Sequence, residues 1–526
     1  MALKRTMRLL FERAEYLFDG IFTPRWNPFL NLGALGWFYY WIVVVSGIYL
    51  YIFFDTGVTQ AYASLEWLTH EQWYLGGVMR SLHRYASDAM VVMVLLHLAR
   101  EFSMDRYHGP RWFAWFTGTP MLWLLFAAGI TGYWMVWDTL AQYVALTTSE
   151  WLDTLPIFGE SIARNFLSDK TLNGRFFTLM VFIHIAVPII LLFIMWIHIK
   201  RHAHPRVNPP RGLAFGTMAM MLALSFAKPA VSHPPADLTR VPAEVGLDWF
   251  YMAIYPLLDR FPGQMMWLVL FLLTLLLMAL PWLPPGRRSP VAVVSLENCN
   301  GCGRCAADCP FSAVSMEPRS DGSAYTWEAV VDEAHCVSCG ICAGACPTSM
   351  PHRRGSELVP GIDLPELTMA ELRDRTEAAA ATLAGDARVI VFGCRCGADL
   401  GSLQMPGVAT VELICIGMLP PVFIDYVISR NLADGVFLTG CREGDCFYRL
   451  GIDWTEQRLA RKRDPRLRSR VPLERIDRFW AGLAKGEELK RRIGDLQDRL
   501  RELGPYRRER RALTAQAEEA DHAPTA

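Results

Sequence analysis

No cysteine precedes Cys299, although 13 are found from that point onward. Disulfides would not crowd beside a membrane segment in this way, and the close C-x2-C spacing of these cysteines suggests iron-sulfur ligands in a reducing compartment. Charge is scarce, at 20% of residues, and has no net sign, because 52 Lys and Arg balance 52 Asp and Glu. Without a net basic field there is no general attraction for nucleic acid, and no nucleic-acid partner is expected. Disorder is excluded for most of a chain that is 52% hydrophobic. C-x-x-C-H is missing as well, so any haem here is not covalently attached. No phosphate-cradling glycine loop, nucleophile triad or flavin fingerprint occurs.

What is present is length and apolar sequence. At roughly 100 to 200 residues per domain, 526 residues predict three or four folding units. A mean hydropathy of +0.19 is high for a soluble protein. Runs of about 20 apolar residues, enough to cross a bilayer, fall at Leu32 to Phe54, Arg80 to Ala99, Trp112 to Trp137, Arg175 to Ile199 and Gln264 to Leu283, with a shorter sixth at Leu213 to Ala227. The basic start is separated from the first run by Glu12, Glu15 and Asp19, so that run is expected to be an anchor rather than a cleaved signal. Lys and Arg are absent from Asp55 to Met79, which places this loop outside. The N-terminal arm (Lys4, Arg5, Arg8, Arg13, Arg25) and the loops carrying Arg100, Arg106, Arg111 and Lys200, Arg201, Arg206, Arg211 belong inside. Six spans leave both termini and every cysteine on the cytoplasmic side.

His83 and His97 are 14 positions apart on the second span, and His184 and His198 are 14 apart on the fourth. Fourteen residues make about 3.9 turns, or about 21 Å, so each pair occupies nearly one helix face at two depths. Two helices presenting histidines at matched depths supply axial pairs for two six-coordinate b haems. Any one of these histidines alone would read as a satisfied core residue. Gly33 and Gly47 on the first span, and Gly118 and Gly132 on the third, repeat the same spacing and suggest slots for a flat macrocycle, where a lone pair would read as helix packing. Arg80 and Arg100 stand where haem propionates would need cations, or else they snorkel.

The strings "HLAREFSMDRYHGPRWFAWFTG" from His97, "GYWMVWD" from Gly132, "RFFTLMVFIHIAVPIILLFIMWIHIKRH" from Arg175 and "VSHPPADLTRVPAEVGLDWFYMAIYPLLD" from Val231 resemble the cytochrome b of bc-type quinol-oxidising complexes over about 285 residues. That resemblance implies an all-α six-helix transmembrane fold, two b haems, quinone as substrate and a homodimer through this part. The family's Pro-Glu-Trp-Tyr stands here as Leu247, Asp248, Trp249 and Phe250, with Tyr251 next, and its Leu-Pro-Trp as Met135, Val136 and Trp137. An outer quinone pocket would then be lined by Trp249, Phe250 and Tyr251, with Asp248 and Asp138 exchanging protons. On the inner side Lys200, His202 and His204 form a second proton-supplying set, or a positive-inside cluster.

Cys299, Cys302, Cys305 and Cys309 with Pro310, then Cys336, Cys339, Cys342 and Cys346 with Pro347, form C-x2-C-x2-C-x3-C-P twice. This bacterial double-cluster ferredoxin pattern sends each fourth cysteine to the other cluster, giving 4Fe-4S sets Cys299, Cys302, Cys305, Cys346 and Cys336, Cys339, Cys342, Cys309. A zinc site would leave the third and fourth cysteines of each run without a role. Beyond a linker helix near Pro365 to Leu383, strands are expected at Val389 to Phe392, Val411 to Ile414 and Val436 to Leu438, with a helix at Pro421 to Asn431, making a small α/β unit. It holds Cys394, Cys396, Cys415, Cys441 and Cys446. "LTGCREGDCFYRLG" and the preceding "VELICIGMLPPVFIDYVISRNLADGV" resemble the delta subunit of methyl-viologen-reducing hydrogenases. The resemblance implies a 2Fe-2S centre and a heterodisulfide-reductase-type flavoprotein partner, with Cys394 and Cys396 both open as ligands. Structural thiols are the alternative. From Val471 the chain is charged, with Leu489, Ile493, Leu496, Leu500 and Leu503 marking an amphipathic helix and Arg507 to Arg511 a basic end that could meet anionic lipid or a partner.

The expected layout is cytochrome b over 1–288, an α+β ferredoxin-like domain over 289–355, a linker helix over 356–385, the small α/β delta-type domain over 386–475 and a charged helical or disordered tail over 476–526. All the modules transfer electrons. The expectation is a subunit of a quinone-linked oxidoreductase in a prokaryotic cytoplasmic membrane, joining a cytoplasmic redox enzyme, whose own subunit converts the substrate, to the quinone pool. The reverse flow, in which quinol oxidation is driven by the membrane potential toward a low-potential cytoplasmic acceptor, uses the same parts. A redox-sensing or assembly scaffold would need only some of them.

Overall fold

The computed structural model describes residues 2–157, 161–162, 165, 167, 172–200, 205–241, 244–283, 289–353 and 358–506. Arg201, His202, His204, Pro284, Pro285 and Arg507 to Arg511 lie outside the described residues. The chain divides into two compact units, Met1–Arg288 and Ser289–Ala526.

The first unit is helical. Its elements are α1 (Ala2–Trp26), α2 (Leu32–Phe53), α3 (Gln60–His70), α4 (Val78–Ser103), α5 (Trp112–Val136), α6 (Thr139–Asp153), α7 (Gly174–Lys200), α8 (Arg211–Ala227), the one-turn α9 (Trp249–Met252) and α10 (Gly263–Ala279). Among the described residues, four helical stretches are long and apolar enough to span a membrane: Pro28–Phe53, Trp112–Val136, Gly174–Lys200 and Gly263–Trp282. The six-span expectation rests further on α4, which has the length but carries Arg80, Arg84, Asp88, Arg100 and Glu101, and on the 17-residue α8. Phe182, Ile189, Phe193 and Trp196 on α7 and Phe271 and Leu272 on α10 are exposed. A run of large apolar side chains pointing outward from buried helices is what a bilayer covers. Inside, α2 packs along α4 and α5 along α7.

The second unit begins with two small antiparallel pairs. Strand β1 (Val293–Val294) joins β4 (Ile362–Asp363), and β2 (Val314–Pro318) joins β3 (Trp327–Val331). Between them sit the short helices α11 (Arg304–Asp308) and α12 (Ile341–Ala345). Next comes α13 (Met369–Ala381), then a parallel sheet of β5 (Val389–Cys394), β6 (Val408–Leu413), β7 (Gly435–Thr439) and β8 (Ile476–Phe479) in the order β6-β5-β7-β8. Helices α14 (Pro421–Ser429), α15 (Gly451–Leu459) and α16 (Gly486–Leu503) complete it. One apolar core runs from Ala292 through the ferredoxin part to Ile476.

Two boundaries differ from the sequence expectation. The segment taken as a linker helix packs on β5 and β6 through Met369 and Leu372, both fully buried, because even an Ala-rich helix joins a core when its few large side chains share a face. The supposed tail supplies β8 and then α16, whose Leu489, Ile493, Leu496 and Leu500 are fully buried against the far side of the sheet. An amphipathic stripe needs a cover, and here the sheet is that cover.

Candidate functional site

The ring centres of His83 on α4 and His184 on α7 are 6.2 Å apart. Two metal-nitrogen bonds of about 2 Å, each extended by the roughly 1 Å from nitrogen to ring centre, span about 6 Å, so one six-coordinate iron fits between these imidazoles. The second nitrogens are already occupied. His83 Nδ1 lies 2.9 Å from the Val43 carbonyl oxygen and 3.2 Å from Ser46 Oγ, and His184 Nδ1 lies 2.9 Å from the Ala128 carbonyl and 3.2 Å from Thr131 Oγ1. An Nδ1–H donating to a backbone carbonyl leaves Nε2 as the lone pair for a metal and fixes the ring's direction. His198 Nδ1 meets Thr117 Oγ1 at 3.0 Å in the same manner.

Each of these hydroxyls directly precedes a glycine, in Ser46-Gly47, Thr117-Gly118 and Thr131-Gly132. The glycines, read from the sequence as slots for a macrocycle, face the histidine edges. A Cβ on Gly47 would stand 2.9 Å from His83 Cε1 and one on Gly132 3.0 Å from His184 Cε1, while Gly118 faces His198 and Gly33 faces His97, each at 3.6 Å. Helices α2 and α5 thus hold the rings through bare backbone. The repeated hydroxyl-glycine pair is the signal in the sequence that the spacing argument passed over. Gly47→Ala or Gly132→Ala is therefore expected to push an imidazole off its axis by a few tenths of an ångström and shift the midpoint potential of one b haem, read by redox titration of the absorbance.

Arg80 and Arg100 have protein partners. Arg80 donates to Thr69 Oγ1 at 2.5 Å and Ser232 Oγ at 2.7 Å and lies 3.5 Å from Glu66, whereas Arg100 Nε donates to the buried Glu15 at 2.7 Å. Asp138 caps α6, accepting from Ala141 N at 2.8 Å, and pins the following loop by accepting from His233 N at 2.9 Å. Asp248 caps α9 through Phe250 N at 2.8 Å and accepts from Arg84 Nη2 at 2.7 Å and from the Tyr133 hydroxyl. Trp249 and Phe250 are exposed, while Tyr251 is buried with its hydroxyl 2.5 Å from Ser87 Oγ. Lys200 lies over the Trp196 ring. Arg84, Asp88 and Tyr133, which the sequence did not mark, complete the polar cluster around Asp248.

In the second unit, one cavity is lined by Cys299, Cys302, Cys305 and Cys346, and another by Cys336, Cys339, Cys342 and Cys309. These are the two crossed sets of the double-cluster pattern, and the walls between the sulfurs are apolar: Met316, Ala329 and Ile362 in the first, Phe311, Val314 and Leu364 in the second. Among the described residues no three donors converge on a single ion. A cubane asks for something else, because each cysteine binds a different iron at a different corner. Both cavities fit that donor set.

The remaining five cysteines collect at the carboxyl end of the parallel sheet. Cys394 ends β5, Cys415 follows β6 by two residues and Cys441 follows β7 by two, while Cys446 lies in the next turn. Strand order reverses between β5 and β7, the kind of crevice where open α/β sheets place ligands. Cys394 and Cys441, one from each of these strands, have their sulfurs 3.6 Å apart. Two thiolates on one tetrahedral metal at about 2.3 Å stand about 3.8 Å apart. Cys441 also reaches Cys396 and Cys446, and Cys446 reaches Cys415. The donor set fits a two-iron centre with one sulfur to spare.

These two parts interlock. Arg458 on α15, 1% exposed, donates to the Gly417 carbonyl at 2.8 Å and to Asp308 Oδ2 at 2.5 Å, the latter residue preceding the crossing ligand Cys309. Gly451 at the start of α15 lies against the Cys415 and Cys446 sulfurs, and Gly340 and Gly344 pack on Met418. Burial and next the neighbouring Cys415 push the Cys339 thiol well above its ordinary range.

Comparison with known proteins finds three family matches along the chain. Residues 18–203 match the family described as Cytochrome b/b6/petB, 298–350 the 4Fe-4S dicluster domain, and 389–504 the Methyl-viologen-reducing hydrogenase, delta subunit. Cytochrome b of Cyanidium caldarium is 24% identical over 285 residues, covering 48% of this chain and 73% of that protein, and cytochrome b of Rhodospirillum rubrum is 25% identical over 289 residues, covering 49% and 70%. Cytochrome b6 of Porphyra purpurea is 30% identical over 139 residues, covering 26% of this chain and 64% of that protein. Among solved structures, a hyperthermophilic respiratory Complex III aligns with a TM-score of 0.40 at 20% identity, covering 49% of this chain and 75% of its own. The chain thus matches a cytochrome b domain, a 4Fe-4S dicluster domain and a hydrogenase-delta-type domain in that order, and it is a multi-pass membrane protein of electron transport.

Proposed function

We propose that this chain is the membrane subunit through which a cytoplasmic redox enzyme of the heterodisulfide-reductase flavoprotein type exchanges electrons with the quinone pool of a prokaryotic cytoplasmic membrane. When bound, its groups supply one-electron transfer: a 2Fe-2S centre among Cys394, Cys396, Cys415, Cys441 and Cys446, two 4Fe-4S centres on the crossed cysteine sets, an inner haem b on His97 and His198 and an outer haem b on His83 and His184. The protein's part is to hold them in a fixed order. Helix α15 braces the delta-type cysteines against the loop that carries Cys309, and the carbonyls of α2 and α5 aim the imidazoles. Both termini and the iron-sulfur unit lie on the cytoplasmic side, quinone reacts at the outer pocket near Asp248, the substrate-converting site belongs to a partner subunit and the cytochrome b part forms a homodimer.

The observation that carries this reading is the axial pair of His83 and His184, 6.2 Å apart with both Nδ1 atoms engaged, on a chain that continues into eight crossed cluster cysteines. The complex purified through this chain is expected to contain two b haems and about ten cluster iron atoms with matching acid-labile sulfide. It should reduce a short-chain quinone with reduced methyl viologen as donor. Cluster iron near eight would leave the last five cysteines as plain thiols, and failure to reduce quinone in a fully loaded complex would remove the quinone assignment.

A further inference from the structure

Asp88 and Asp248 come from opposite ends of the cytochrome b unit and face one guanidinium. Arg84 Nε donates to Asp88 Oδ2 at 3.2 Å and Arg84 Nη2 to Asp248 Oδ2 at 2.7 Å, with the guanidinium stacked 4.5 Å from the Tyr133 ring centre. The two carboxyls differ in how they are satisfied. Both oxygens of Asp248 are taken, Oδ1 by Phe250 N–H and Oδ2 by Arg84 and the Tyr133 hydroxyl. Asp88 Oδ1 is buried and has no donor at all, in a residue only 8% exposed.

Two ionised carboxylates held on one guanidinium repel each other, and a proton on one of them removes that repulsion. Charge counting gives the same answer. One arginine against two ionised carboxylates leaves an uncompensated negative charge on a membrane helix, and one shared proton brings the cluster to neutrality. The other titratable groups that face it, Tyr85, Tyr133 and Tyr251, carry hydroxyls and supply no second positive charge. We infer that Asp88 and Asp248 form a carboxyl pair that stores one proton and exchanges it with quinone at the outer pocket.

The quinone half of this inference rests on the function proposed above, while the stored proton does not. Only a proton changes hands. When quinone is reduced, an O–H bond on the pair breaks as one forms on the reduced quinone oxygen, and water reprotonates the pair. In the opposite direction the pair takes the proton from quinol and passes it to water. Asp248, saturated by three donors, anchors the charged end, and Asp88, with its free oxygen, is the member that holds the mobile proton.

Redox-difference infrared spectroscopy of the full-length complex reads the proton directly. A protonated-carboxyl carbonyl band that shifts in deuterium oxide is expected in the unaltered protein. It should disappear in both Asp88→Asn and Asp248→Asn, near-isosteric changes that keep a hydrogen-bonding group in place. Quinone-linked turnover in Asp88→Asn should fall at least roughly tenfold with an altered pH profile, while methyl viologen still reduces both haems. The band persisting in both variants, or being absent from the unaltered protein, would overturn the shared proton. Loss of the band with normal quinone turnover would keep the pair and overturn its link to quinone.

Discussion

Leucine in place of His97 or His198 is expected to remove one b haem and leave the other, seen as half of the reduced-minus-oxidised absorbance per protein. The two sites are built independently. His83 and His184 are aimed by Val43, Ser46, Ala128 and Thr131, and none of these touches the inner pair, which is held by Gly33, Gly118 and Thr117. Leucine fills the same space without a lone pair, so the helix packing survives and the coordination does not. Since the two haems lie in series in the proposed route, quinone reduction from the cytoplasmic side should fall to background in the same variants. An unchanged haem-to-protein ratio in both would show that the ligands had been misassigned.

The four histidines stood out in the sequence because a 14-residue repeat on apolar helices has few other meanings, and the eight cysteines because their spacing follows the double-cluster ferredoxin pattern. The partners that tune these groups were less visible. Arg84 and Asp88 look like an ordinary i,i+4 pair on a helix surface, and only the return of the chain at Asp248 gives them a third member. Strand β8 was lost in a charged stretch because an edge strand needs few apolar residues, and Ile476 and Phe479 suffice to hold it against β7. With β8 missing, the sheet had no far edge, and the amphipathic helix marked by Leu489 to Leu503 had no sheet to cover it. The spans at α2, α5, α7 and α10 are long and apolar throughout, whereas the run from Arg80 to Ala99 on α4 is interrupted by Arg84 and Asp88 and followed by Arg100 and Glu101.

Arg458→Leu is expected to loosen the brace between the delta-type part and the ferredoxin part. Arg458 and Asp308 are 1% and 3% exposed, and breaking a buried pair from one side leaves the other charge without its partner. Arg463 cushions the loss, since its Nε keeps Asp308 Oδ1 at 2.8 Å from a side chain that is 22% exposed. The cost should therefore sit at the lower end of the range for broken buried pairs, about 3 kcal/mol, or roughly 6–12 °C in the temperature at which the cluster absorbance bleaches. Arg463→Leu removes only the more exposed member and should lower that temperature less. The effect on electron transfer follows from what Arg458 holds on its other side. Its second hydrogen bond fixes the Gly417 carbonyl, two residues beyond Cys415, so the variant frees the Cys415 turn and the Cys309 loop from each other while removing no ligand. Iron content should stay near the unaltered value, and reduction of the haems by methyl viologen should slow. An unchanged bleaching temperature together with unchanged haem reduction would mean that the shared core from Ala292 to Ile476, and not this ion pair, keeps the two sets of cysteines in register.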